Sequence, residues 1–123
     1  MLIGIDNPHS SDSRHALSPD DPGSAGERLW KMSGMTKAEY VATFARRNAS
    51  DEPIIRRRVV IVLGRAAWIK LRLPPGTMWF EKVYARGSEW TLIPHPSGRN
   101  RLLNSKQVRI RTRAILRRYH DSA

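Results

Sequence analysis

No cysteine occurs in the chain, which excludes disulfides, and with them any zinc site or iron–sulfur cluster held by thiolates. His9, His15, His95 and His120 do not fall at metal-ligand spacing, so neither a metal centre nor a cofactor is expected. Long apolar runs are absent too. The opening Met-Leu-Ile-Gly-Ile meets Asp6 at once, too soon for a signal peptide, and no later stretch approaches the length of a membrane span. The expectation is a cytoplasmic or nucleoid-associated protein that is not secreted. Acidic residues are scarce beside basic ones: eleven Asp and Glu stand against twenty-two Lys and Arg, for a net charge of +11. Most of the excess is Arg, whose planar fork suits phosphate oxygens, so nucleic acid is the leading partner.

With 123 residues and no internal repeat, one domain spanning 1–123 is expected. Leu2-Ile-Gly-Ile5 reads as a short buried strand that delivers Asp6-Asn7-Pro8. Residues 9–26 are rich in Ser, Asp, Pro and Gly and read as a loop. Helical character begins near Glu27, with Leu29, Trp30 and Met32 as an apolar patch before Gly34. A firmer helix is predicted from about Lys37 to Arg47, where Thr36 and Glu39 form a capping box and Ala38, Val41, Phe44 and Ala45 make a stripe with Tyr40 beside it. Val59-Val-Ile-Val-Leu63 is the strongest strand, a continuous β-branched run suited to burial on both faces. Gly64 closes it, Arg65 to about Leu71 reads as helix, and Pro74-Pro-Gly76 breaks that helix. Phe80 to Arg86 reads as a further strand with a turn at Gly87-Ser88.

Trp90-Thr-Leu-Ile93 reads as a strand that ends on a stiff polar rim. Pro94 and Pro96 fix φ on either side of His95, and Gly98 permits a turn that displays Ser97, Arg99 and Asn100. In the last helix Asn104 and Gln107 form a cap-like pair; Val108, Thr112, Ile115 and Tyr119 share one face, and Lys106, Arg109, Arg113 and Arg117 another. Arg109 and Arg113 are therefore candidates for phosphate contact. Strands separated by helices predict an α/β fold: a small three-layer α/β/α domain with a mainly parallel sheet.

Gly4-Ile-Asp-Asn-Pro8, followed by His9-Ser-Ser11 and paired with His95-Pro-Ser-Gly-Arg-Asn100, resembles the two active-site motifs of the uracil-DNA glycosylase superfamily. The first is similar to the Gly-Ile-Asn-Pro loop of the mismatch-specific uracil/thymine branch and, in Gly4-Ile-Asp6, to the Gly-Gln-Asp-Pro loop of classical members. The second is similar to their His-Pro-Ser loop, and Val59–Gly64 matches their central strand. One residue is extra relative to Gly-Ile-Asn-Pro, so Asp6 and Asn7 both compete for the water-positioning place. The strand-end Asn that pairs with uracil in classical members is replaced by Gly64.

The resemblance implies a DNA glycosylase that flips uracil or another altered pyrimidine out of DNA and hydrolyses its N-glycosidic bond. Asp6 or Asn7 would position water, and His95 would donate a hydrogen bond to the anionic base oxygen. Gly4 and Pro8 would shape the first loop. Ser97, with Gly98, would hold a phosphate, and Arg99, beside Asn100, would fill the gap in the base stack. Two other readings stay open: a non-catalytic DNA-binding protein on the same fold, and a basic RNA-binding protein.

Overall fold

Val59–Leu63 forms β3, and every other strand is arranged about it. The structure, a computed structural model, describes residues 1–4, 16–20, 22–49, 58–95 and 105–122. Its elements are β1 (Leu2–Gly4), α1 (Ala25–Ser33), α2 (Lys37–Thr43), β2 (Arg46–Asn48), β3, α3 (Arg65–Lys70), β4 (Lys82–Ala85), β5 (Ser88–Ile93) and α4 (Lys106–Ser122). The sheet order is β2-β1-β3-β5-β4. β1 pairs with β2 and β3 in parallel, and β3 pairs with β5 in parallel from Val59↔Glu89 to Leu63↔Ile93. β4 alone is antiparallel, a hairpin edge on β5. The fold is thus a small α/β domain with a mixed, mainly parallel five-stranded sheet, as the strand and helix alternation predicted.

Side chains alternate across a strand, and here the alternation separates two cores. Ile3, Val60, Val62, Trp90 and Leu92 meet Ala67 and Trp68 of α3 on one face. Leu2, Ile61, Leu63 and Ile93 meet Leu29 of α1, Tyr40 of α2 and Leu116 of α4 on the other. Helices therefore pack on both faces, which is why β3 reads as an unbroken apolar run rather than an alternating one.

Several boundaries differ from the sequence reading. The Thr36–Glu39 capping box forms, with Glu39 N–H donating to Thr36 Oγ1 at 3.1 Å and Thr36 N–H to Glu39 Oε1 at 3.1 Å. The helix that it starts ends at Thr43, however, and Arg46–Asn48 leaves it as a strand. Tyr40 and Phe44 are the buried pair, whereas Val41, assigned to the apolar stripe, is 47 % exposed. The β4–β5 turn is Arg86-Gly87, both at positive φ, and Ser88 already belongs to β5. Helix α1 begins two residues before Glu27, capped by Ser24, whose Oγ accepts from Glu27 N–H at 3.1 Å.

The predicted loop 9–26 is only partly loop. Ala16 and Pro19 are buried, and Leu17 packs its side chain on Gly4, 3.3 Å from where a Cβ there would stand. Three contacts fasten this return: Tyr40 Oη donates to Leu17 O at 3.0 Å, Arg46 Nη1 to Ala16 O at 3.2 Å, and Lys37 pairs with Asp20 at 3.3 Å. The excursion that leaves the sheet at Gly4 is thereby pinched shut at its base.

Candidate functional site at the carboxyl edge of the sheet

Because β1, β3 and β5 run parallel, their carboxyl ends open on one edge. β1 is followed by α1 and α2 and leads outward to β2, whereas β3 leads through α3 and the edge strand β4 to β5 on its other side. Chains that depart in opposite directions from adjacent strands leave a crevice between them, and that crevice is where open α/β sheets take ligands. Gly4 ends β1, Gly64 follows β3, and Pro94-His95 follows β5. The openings of the two loops singled out in the sequence therefore flank β3, two interstrand spacings or about 10 Å apart.

Gly64 and His95 are fitted to each other. Gly64 N–H donates to Ile93 O at 2.8 Å, carrying the β3–β5 ladder one residue past the strand, and its φ of +92° is one that side-chain-bearing residues rarely adopt. A Cβ at position 64 would stand 2.9 Å from His95 Cβ. The absence of a side chain at position 64 is thus what lets His95 lie back against the sheet. His95 is half-buried, and burial holds its pKa below the ordinary 6.5. Near neutral pH the ring is uncharged, one nitrogen a donor and the other an acceptor.

The remaining site residues divide by location. Asp6, Asn7, Pro8, Ser97, Gly98, Arg99 and Asn100 lie outside the described residues. Arg109 is exposed in the first turn of α4. The far end of that helix lies at the opposite edge, where Tyr119 Oη accepts from the Met1 amino group at 2.8 Å. At 1.5 Å per residue, α4 spans about 25 Å, so Arg109 belongs to the carboxyl edge. Arg113, one turn on, lays its guanidinium on Gly34, with Nη2 2.7 Å from the place of a Cβ there. Gly34 caps the carboxyl end of α1 in a left-handed conformation, a position whose partial negative charge favours a cation.

One residue of this edge was not legible in the sequence. Asn48, just past the helix predicted to run to about Arg47, is 4 % exposed at the end of β2 and paired in register with Gly4. It is a buried amide beside the mouth of the first loop. Nothing in Arg46-Arg-Asn48 alternates, so periodicity gave no sign of the strand that carries it there. Among the described residues no group of His, Asp or Glu is arranged to hold a metal ion.

Among the described residues, two clefts lie at the opposite, amino edge. One of about 80 Å³ is bounded by Ile115 and Tyr119; another, of about 910 Å³, is an open groove among Arg58, Lys82, Tyr84, Arg86, Glu89 and Arg118. The groove is shallow, and Glu89 is engaged by Lys82 at 3.8 Å and by Tyr84 Oη at 3.3 Å. No protein family, curated protein or solved structure matches this chain. Among the described residues no helix is long and apolar enough to cross a membrane.

Proposed function

We propose that the protein is a DNA glycosylase on a uracil-DNA glycosylase-like fold, excising uracil or another altered pyrimidine. The observation that carries this reading is His95, kept neutral by burial and seated on Gly64 between the openings of two motif-bearing loops. A duplex base is beyond reach unless it is rotated out of the stack. As the bond from C1′ to the base nitrogen breaks, its electron pair leaves on the base while positive charge develops on the sugar. His95 then donates an N–H to the base oxygen as that oxygen becomes anionic. Asp6 or Asn7 holds the water whose oxygen bonds to C1′, and the water's proton passes to Asp6 or to solvent. A neutral imidazole suits this role, since its donor need give up no proton to act. The net charge of +11 and the exposed Arg109 favour the phosphate backbone that brings the base to this edge.

Single-turnover base release from duplexes containing uracil, mismatched thymine or hydroxymethyluracil tests the reading. His95→Ala is expected to slow release by about 10²- to 10³-fold with little change in DNA affinity. Asp6→Ala and Asn7→Ala are expected to act in the same sense, and the slower of the two identifies the water-holding residue. Tight binding without release from any duplex would leave the second reading, a DNA-binding protein without excision. Gly64 favours that reading to one extent: it leaves no side-chain amide at the end of β3 to pair with a base.

A further inference from the structure

Residues 73–81 climb back to the carboxyl edge of the sheet before β4 descends. Leu71 lies at the amino edge, where its carbonyl accepts from Arg86 Nη2 in the β4–β5 turn at 2.8 Å; Phe80 lies at the carboxyl edge, its N–H donating to Leu92 O at 2.6 Å. The apex between them is tied down on every side. Pro74 O accepts from Trp68 Nε1 at 2.8 Å and from Thr77 Oγ1 at 2.6 Å. Arg65 Nη1 donates to Thr77 O at 2.8 Å, Met78 N–H to Glu81 Oε1 at 3.0 Å, and Glu81 N–H to Met78 O at 3.1 Å.

On this fixed turn Met78 is 72 % exposed. Its two successors are covered by guanidinium groups: Arg65 lies 4.8 Å from the Trp79 ring centre and Arg111 of α4 lies 4.2 Å from that of Phe80. A long apolar side chain is thus raised into solvent by a backbone that is hydrogen-bonded on both sides of it, at the edge that carries His95. Arg65 is engaged within the turn and stiffens it. Arg111, exposed on α4, presents charge beside it.

We propose that Met78 is an apolar wedge that packs into the base stack of duplex DNA, with Arg111 contacting an adjacent phosphate. This rests on the carboxyl edge being the DNA-binding face. Methionine is among the apolar side chains that enter base steps, and its unbranched thioether adapts to the irregular gap left when a base is turned out. The charge beside it draws the backbone that such a step requires. The turn that carries Met78 precedes β4 and is distinct in sequence from the segment after β5 that holds Arg99.

The test is a titration of the full chain and of Met78→Ala, Met78→Leu, Arg111→Ala and Tyr84→Ala against a matched duplex and one with a mismatched, easily flipped base, at several salt concentrations. Burying one Met side chain sets the scale: Met78→Ala is expected to bind the mismatched duplex about tenfold more weakly with an unchanged salt slope, and Met78→Leu to restore binding. Arg111→Ala is expected to lower the slope by about one. Tyr84→Ala, at the opposite edge and 76 % exposed, is expected to change nothing. A 2-aminopurine beside the mismatch should brighten with the wild type and not with Met78→Ala. Wild-type affinity in Met78→Ala, or an equal loss in Tyr84→Ala, overturns the wedge while leaving His95 and the excision reading as they stand. Met78-dependent binding without base release upholds the wedge and removes the excision reading. Binding of an acidic peptide in place of any duplex overturns both.

Discussion

A methyl group at position 64 would have to enter space that His95 Cβ already fills, at a φ of +92° that alanine resists. Gly64→Ala is therefore expected to destabilise the fold by about 1–3 kcal/mol, the range for a strained backbone position, and to shift the His95 ring resonances, as read by urea unfolding and proton NMR. The histidine also sets a pH dependence. Its folded pKa lies below 6.5 through burial, so the unfolded chain binds the proton more readily than the folded one. Stability is then fully present above about 6.5 and is lost as pH falls from there toward the folded value. Urea midpoints measured from pH 5 to 8 should show this decline in the wild type, and His95→Gln should flatten that portion. Thr112 is a third case. Its Oγ1 is buried with no hydrogen-bond partner among the described residues, so Thr112→Val is expected to stabilise the protein by about 1 kcal/mol, read in the same assay. That position was legible as a member of the buried face of α4; the orphaned hydroxyl was not, since it depends on what the helix meets.

Among the elements, α1 shows how closely a helix can be seated. Gly26 lies in its first turn, and a Cβ there would fall deep inside van der Waals contact with the backbone at Leu17 and Ser18. Backbone cannot yield as a side-chain tip can. Gly26→Ala is expected to cost about 3 kcal/mol and to loosen the segment that Tyr40 and Arg46 hold, which amide hydrogen exchange at residues 16–20 would detect. β3 was legible because five consecutive apolar residues leave few alternatives, and the start of α2 because its cap is built from adjacent side chains. The end of α2 was not. Seven helical residues suffice to seat Tyr40 and Phe44, after which the chain is drawn into register with β1, an attraction from outside the segment. The same holds at the candidate site. The proline-flanked His95 stands out in the sequence, whereas its fit to Gly64 arises from the pairing of β3 with β5 and has no local signature.

For the molecule as a whole, the +11 charge favours a polyanionic partner without saying which face would receive it. Arg65, Arg109 and Arg111 stand at the carboxyl edge, and Arg58, Lys82 and Arg118 line the groove at the amino edge. If roughly four to six phosphates are neutralised, log affinity for duplex DNA should fall against log salt with a slope of about −4 to −5, and fluorescence-anisotropy titrations from 50 to 300 mM salt would measure it. A slope near zero would remove nucleic acid from consideration.

The closure of the first excursion at Gly4 and Leu17 reaches beyond stability. Once two ends are held together by the frame, the free energy of joining them depends only weakly on what is strung between, about 0.6 kcal/mol for each doubling of length. The frame therefore places little constraint on the length or lettering of residues 5–15. Insertions or exchanges can be tried there while β1, α2 and the return through Leu17 keep the molecule folded, so this segment is free to evolve on a timescale of its own.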